Sequence, residues 1–341
     1  QIDCETLAVV SGRVVDRGMN PIPMVRVEIQ GRPEFGFTLT RADGEYDLAV
    51  NGGGTFILDL SAQGYLPAQR SAPTTARADK VLEDIMLVTL DPNVTTVMAG
   101  MPAPQVVTGS TVTDSDGPRT ARLIVPSSTS VMMGNGVGGM DPVTEIDVRI
   151  TEYTVGDTGP MAMPADLPPT SGYTYAVELS ADQGLDRPIS FSKPLASYNE
   201  NFLGFPTGTI IPHGFLDREL AQWVPADNGR VIEVLSESGG RATLAVDSTG
   251  FPASPSKLSS LGINSEELTV LAQLYDPGDS LWRVPVSHFS PHDYNFPLPN
   301  DSVPPPPPAP EPDNLTGTLS DADYGQIEYE NQAFQEQLNL V

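Results

Sequence analysis

Glycine and proline punctuate this chain so densely that long helices are ruled out. Its 341 residues include 31 glycines and 34 prolines, close to a fifth of the whole. Glycine inside a helix costs backbone entropy, and proline there removes a hydrogen bond and clashes with the preceding turn. Such punctuation leaves room for many short strands joined by turns. With 39% hydrophobic residues the chain can still bury cores, and its length suits two or three domains at ~100–200 residues each. The expected class is all-β.

The first domain is expected at residues 7–90. Ala8–Val15 and Val25–Ile29 alternate between apolar and polar with a period of two, as half-buried strands do. Phe37–Thr40 and Glu45–Val50 flank Asp43-Gly44, a two-residue hairpin signal. Residues 91–109, which contain prolines, read as a linker, and a second β-rich region is expected at 110–298. Its clearest strands are Arg122–Val125, Glu145–Glu152 and Tyr173–Leu179. Met133–Gly139 is too glycine-rich for a strand and is expected to be a mobile loop. Tyr153–Ser171, with Pro160, Pro164, Pro168 and Pro169, is expected to cross a surface in extended form. One short helix is expected, with Asn264 as its cap and Glu267 completing a capping-box-like pair. Its apolar stripe would be Leu268, Leu271, Ala272 and Tyr275. Residues 299–313 carry the run Pro304–Pro308, a stiff polyproline II spacer, and 314–341 form an acidic tail.

Charge excludes several functions. The formal net charge is −26, and lysine occurs only at positions 80, 193 and 257. Nucleic acid and anionic membrane surfaces would be repelled, because binding them needs clustered basic residues. No apolar run approaches the ~18–20 residues of a membrane-spanning helix. Cys4 is the single cysteine, so neither an internal disulfide nor a thiolate metal cage is available. A chain that begins at Gln1 is expected to be either leader-processed or part of a longer polypeptide.

Candidate sites are few. The sequence has no G-x-S-x-G elbow, no phosphate loop and no H-E-x-x-H, so no catalytic residues are assigned and the chain is expected not to be an enzyme. His288, His292 and Asp293 are close enough in sequence to suggest a metal, but Pro291 excludes a helical face, and structural hydrogen bonding is the expected role. His213 lies in a turn. Asp114-Ser115-Asp116-Gly117 has the oxygen density of a Ca²⁺ loop without its remaining ligands, and reads as a hairpin turn with calcium as the alternative. No cofactor is otherwise expected. Phe202, Phe205, Trp223, Trp282, Phe289, Tyr294 and Phe296, with His288, either anchor irregular loops or form a docking surface.

Two resemblances sharpen this. VSGRVVDRGMNPIPMVRVEIQG, TRADGEYDLAV and GYLPAQR resemble the carboxypeptidase regulatory-like, transthyretin-like domain, which implies a seven-stranded sandwich acting as a spacer or adhesion module. TDSDGPRTARLIVP and ITEYTVGDTGPMAMPADLPPTSGYTYAVELS, with NFLGFPTGTIIPHGFLDR, WVPADNGRVIEVL and LWRVPVSHFSPHDYNFP, resemble the region preceding the repeat shell in Rhs/YD-repeat proteins, the bacterial relatives of teneurins. That resemblance implies a secreted or cell-surface, non-catalytic, plug-like region whose partner is a YD-repeat shell of the same polypeptide, as in polymorphic toxins. The chain itself contains no YD repeats and no toxin domain. An adhesion or carbohydrate-binding module with a cell-surface or glycan partner is the alternative.

Overall fold

The computed structural model describes residues 2–296 apart from Thr170 and Asp186. The proline-rich spacer at 299–313 and the acidic tail at 314–341 lie outside the described residues. The chain divides into two compact units: one holds residues up to Thr89 together with Pro160–Ser171, the other holds Leu90–Gly159 and Gly172–Phe296. Both are built of strands, as the glycine and proline content requires.

The N-terminal unit contains β1 (Leu7–Val15), β2 (Arg26–Ile29), β3 (Phe37–Leu39), β4 (Glu45–Asn51), β5 (Thr55–Ser61), β6 (Ala68–Pro73), β7 (Asp79–Val81) and β8 (Ile85–Met86). One sheet runs β4-β1-β7 with β8 also on β1; the other runs β3-β2-β5-β6. Val10, Val14, Val27, Tyr46, Leu48, Leu58 and Leu60 fill one buried core. Gly12 lies opposite Tyr46 across the first sheet. A Cβ at position 12 would come within 2.7 Å of the Tyr46 hydroxyl, so the missing side chain makes room for the ring.

The Asp43-Gly44 turn forms, but not as the expected hairpin. β3 pairs with β2 and β4 with β1, so the turn carries the chain from one sheet to the other. Gly44 has φ +80°, and a Cβ there would sit 2.5 Å from the Val14 carbonyl oxygen. Gly44→Ala is therefore expected to destabilise this unit by about 1–3 kcal/mol through strain alone. Faster amide hydrogen exchange in β1 and β4 is the measurement; unchanged exchange would show that the turn relaxes.

The segment 153–171 is not extended throughout: it contains a 3-10 turn at Gly156–Ala162, and residues 161–166 lie along β6. The Arg70 guanidinium donates to the carbonyls of Met161 and Met163 at 2.8 and 2.9 Å, and the Gln69 amide to Pro164 at 2.7 Å. Ala162, Met163 and Ala165 are buried. Their small or flexible apolar side chains gain more from a core than from solvent.

The second unit contains β9 (Thr95–Met98), β10 (Gln105–Asp114), β11 (Gly117–Val125), β12 (Val131–Gly134), β13 (Met140–Val143), β14 (Glu145–Glu152), β15 (Ala176–Ala181), β16 (Ile189–Glu200), β17 (Ile210–Ile211), β18 (Gly214–Asp217), β19 (Gln222–Pro225), β20 (Gly229–Ser238), β21 (Arg241–Ala245), α1 (Pro255–Ser260), α2 (Ser265–Leu274), β22 (Ser280–Phe289) and β23 (Pro291–Asp293). The larger sheet runs β10-β11-β16-β22-β20-β17, with β12 on β16, β13 on β12 and β21 on β20; the smaller runs β19-β18-β23-β15-β14-β9. Leu123, Val125, Val231, Trp282 and Val284 of the larger sheet share a core with Ile146, Val148, Ile150, Val177 and Leu179 of the smaller. The other face of the larger sheet packs Ile124, Tyr198, Ile232, Val234 and Leu281 against Ile263, Val270 and Leu271 at the helices. Coverage on both faces explains the near-continuous apolar runs in β11 and β20.

Three expectations are corrected here. Residues 91–109 are not a linker: β9 and the first half of β10 lie in them, because the β-branched run between Pro92 and Pro102 makes an edge strand. Met133 and Gly134 belong to strand β12 and only residues 135–139 are the loop, at the tip of a hairpin with Val131 opposite Val143 and Gly134 opposite Met140. Helix α2 has a companion, α1, capped by Ser254 with Pro255 at its first position. The α2 cap itself is as expected: Asn264 accepts from the Glu267 amide at 2.9 Å. Glu267, however, turns its carboxylate inward to Arg283.

Candidate functional site

Alternation along β22 decides what its aromatic residues do. Trp282 and Val284 point into the core between the sheets, and Leu281 points to the opposite face. Trp282 is fully buried, with ring centroids of Phe202 at 5.3 Å, Phe205 at 5.6 Å, Tyr175 at 6.1 Å and Phe296 at 6.2 Å. Tyr294 stacks on Tyr175 at 5.6 Å, and Phe289 packs on Phe191 at 4.8 Å. The loop carrying Phe202 and Phe205 is pinned by Asn201, which accepts from the Trp282 indole N–H at 2.8 Å and from the Phe205 amide at 3.0 Å. Trp282, Phe289 and Tyr294 are therefore core, which corrects their docking assignment, whereas Phe202, Phe205 and Phe296 are half-buried rings packed against that core. Burying so much ring area outweighs any gain from presenting it to a partner. Trp223 lies apart from them, half-buried on β19 at the edge of the smaller sheet, opposite Leu216.

All three histidines meet in one row, with His213 and His292 buried and His288 half-buried, which their sequence positions did not reveal. His213 precedes β18, His292 lies on β23, and the two strands pair. The His213 Nδ1 is 2.9 Å from the Asp227 carbonyl oxygen, and its Nε2 is 3.0 Å from His292 Nδ1. Ser290 Oγ lies 3.4 Å from His292 Nε2 and 3.3 Å from His288 Nδ1. With both rings neutral, the Asp227 carbonyl makes His213 Nδ1 a donor, so His292 Nδ1 donates to His213 Nε2 and His292 Nε2 accepts from Ser290, which leaves the His288 carbonyl oxygen, 3.2 Å from that nitrogen, without a proton from it. The His288 ring stacks on His292 and meets Phe215 edge-on at 4.4 Å. Asp293, the third residue of the supposed metal set, accepts from the Asn295 amide. Among the described residues no group of three or more His, Cys, Asp or Glu side chains is placed to hold a metal ion.

Burial lowers the affinity of all three histidines for protons, most strongly at His292, where the neighbouring histidines add to the effect. A folded-state value below the unfolded one means that the unfolded chain binds more protons as the pH falls past ~6.5. Stability from the row is then complete above that pH and lost below it. Burial acts oppositely on Asp293, raised to about 6, whose contribution grows as the pH falls. Glu152 and Glu178 are raised by burial as well, so the contribution of the row is read as a difference between variants, at most about 1.4 kcal/mol per pH unit for each proton taken up. From pH 7 to pH 5 the urea midpoint of the unmodified chain is expected to fall relative to that of His292→Gln. Parallel pH profiles for the two would mean that His292 is not neutral in the fold.

The candidate calcium residues Asp114 and Asp116 are engaged otherwise. Asp114 and Gly117 close the β10–β11 hairpin. The Asp114 carboxylate receives two hydrogen bonds from Arg119, at 2.8 and 2.7 Å, and one each from the amides of Asp116 and Gly156. Asp116 contributes that amide, not a second carboxylate. On the smaller sheet a cleft of about 240 Å³ opens beside Phe215, His288, Phe289 and Arg187. At its wall Arg218 pairs with Glu178 at 3.0 Å, and the Tyr153 hydroxyl donates to the same carboxylate at 2.5 Å. No described helix is long and apolar enough to cross a membrane.

Residues 2–87 match the family model of the teneurin TTR-like domain. The N-terminal domain is teneurin-like. Its two four-stranded sheets around one core agree with the sandwich expected for the segment, with eight strands where seven were implied. No curated protein matches the chain. Among solved structures, a type II cohesin–X-dockerin complex of Acetivibrio cellulolyticus is 20% identical over 25% of this chain and 59% of that one, with a TM-score of 0.21. A streptococcal ancillary pilin is 12% identical over 42% and 47%, with a TM-score of 0.22. The major pilin subunit of Bacillus cereus is 10% identical over 71% and 80%, with a TM-score of 0.20. The chain thus spans less than two thirds of the length of the first two.

Proposed function

We propose that this chain is a non-catalytic binding scaffold, secreted or on the cell surface, that caps or orients the YD-repeat shell of an Rhs-type, teneurin-like polypeptide. The observation that carries the reading is the teneurin TTR-like match at residues 2–87, followed in sequence by a second β-built unit. A structural role is supported by the buried carboxylates Asp114, Glu152 and Glu178, each of which is held by an arginine and so is already occupied as a hydrogen-bond acceptor. With Trp282, Phe289 and Tyr294 in the core, contact with a shell is assigned to exposed apolar positions of the 203–220 segment: Leu203, Ile210 and Leu220. Co-expressed with a YD-repeat shell segment, the chain should co-elute with it, and Leu203→Ser/Ile210→Ser/Leu220→Ser should separate the two. A reading frame without YD repeats, or separate elution of the unmodified pieces, ends the proposal.

A second reading, glycan binding, is favoured by Trp223 on the edge strand β19 and by the Phe215–His288 cleft. Retention on a glycan array that disappears in Trp223→Ala would support it; an array with no retention would end it.

A further inference from the structure

The outer face of the larger sheet, away from the histidine row, carries a cavity of about 640 Å³ between the sheet and the α1–α2 connection. Small-molecule sites commonly enclose ~300–1,000 Å³. Its apolar wall comes from Ile124, Leu195, Ile232, Leu261 and Pro285, and no aromatic ring lines it. Its charged groups are Lys193, Arg230 and Arg283 against Asp227, Glu266 and Glu267.

Most of these groups already have partners. Arg283 donates to both oxygens of Glu267, at 2.6 and 3.0 Å, and to the Leu261 carbonyl at 2.8 Å. Glu267 also accepts from the Tyr198 hydroxyl. Glu266 accepts from the Ser127 hydroxyl and amide, and Lys193 donates to the Ser127 carbonyl at 2.5 Å.

Arg230 differs. It lies directly opposite Arg283 across β20 and β22, where like charges repel. Its one hydrogen bond is a long one, from Nη1 to the Gly208 carbonyl at 3.3 Å, and its buried Nε has no partner among the described residues. Pairing is otherwise common among the arginines of this unit: Arg119, Arg122, Arg149, Arg218 and Arg283 each hold a carboxylate. In a chain with 44 acidic and 18 basic residues, a guanidinium left without one at a cavity wall is an open anion position. Removing a partner from a partly buried charge is costly, and an incoming anion restores the balance.

We propose that this cavity binds a small aliphatic monocarboxylate whose carboxylate is held by Arg230. The planar guanidinium fork matches a carboxylate. Glu266, Glu267 and Asp227 on the same wall would repel a dianion, which selects against phosphate esters. The aliphatic lining accepts a hydrocarbon body and offers no ring for a sugar to stack on.

Calorimetric titration of the full chain tests this with three probes: hexanoate, hexanamide and hexyl phosphate. Saturable binding of hexanoate is expected, with hexanamide and hexyl phosphate at least tenfold weaker and Arg230→Gln reducing hexanoate affinity at least tenfold. Without ligand, Arg230→Met should melt at the same temperature as the unmodified chain or higher, because it removes an uncompensated charge. The proposal is overturned if hexanoate fails to bind, if hexanamide or hexyl phosphate binds equally well, or if Arg230→Gln retains full affinity. It is overturned equally if Arg230→Met melts several degrees lower, since Arg230 would then be a structural element.

Discussion

Replacing Arg119 with alanine is expected to cost the second unit about 3–5 kcal/mol, the usual consequence of removing one partner from a buried ion pair. The Arg119 side chain is 1% exposed, and those of Asp114 and Glu152 are 10% and 6% exposed. Its guanidinium bonds both oxygens of Asp114, the Glu152 carboxylate at 2.6 and 2.8 Å and the Thr154 carbonyl at 3.0 Å, and lies 4.5 Å over the Phe202 ring. The hydrogen bonds from Arg119 hold Asp114 well below the usual carboxylate range, whereas burial raises Glu152 despite the same arginine. The sign differs accordingly. Stability from Asp114 is present above its unfolded value of ~3.9 and lost as the pH falls, while Glu152 is tolerated best when protonated. In Arg119→Ala, Glu152 without its guanidinium should take up a proton more readily, so the deficit against the unmodified chain should narrow from pH 7 to pH 5. Urea unfolding at the two pH values measures it. Asp114→Asn/Arg119→Met/Glu152→Gln should regain most of the loss, since a buried ion pair is worth little over a well-packed neutral replacement. A deficit under about 1 kcal/mol for Arg119→Ala would mean that water already reaches the group.

Trp282→Ala is expected to destabilise the same unit by about 3–5 kcal/mol, the range for deleting a large buried aromatic. The indole lies among four other rings and holds Asn201, which in turn fixes the Phe202–Phe205 loop. Trp282→Phe keeps most of the apolar contact but loses the Asn201 hydrogen bond, so a smaller cost of about 1–2 kcal/mol should remain. Chemical unfolding gives both values, and near-ultraviolet circular dichroism reports the loss of ring packing. A cost below about 1 kcal/mol for the alanine variant would contradict a core position and restore the ring to a surface role.

Much of the architecture was legible because it follows from local rules. The glycine and proline density excluded long helices, Asn264 marked the start of α2, and the Asp114–Gly117 turn closes the hairpin it announces. Other features were misread where a local signal is blind to pairing. Asp43-Gly44 looks like a hairpin until its two flanking strands join different sheets. The segment 91–109 looks like a connector until the edge of the smaller sheet accepts β9.

The candidate sites were less legible. His213 and His292 are 79 residues apart and touch because β23 enters the smaller sheet beside β18. Arg230 gains meaning only from Arg283 opposite it and from the helices that roof the cavity. By itself the order of residues determined the all-β class, the teneurin-like first domain and the short capped helix, since backbone conformation and period-two alternation are properties of neighbours along the chain. Tertiary structure alone decided that Trp282, Phe289 and Tyr294 lie inside, that the histidines form a row and that Arg230 faces Arg283 rather than a carboxylate. Those outcomes depend on which distant strands pair, and strand pairing is set by long-range burial that no short window of sequence contains.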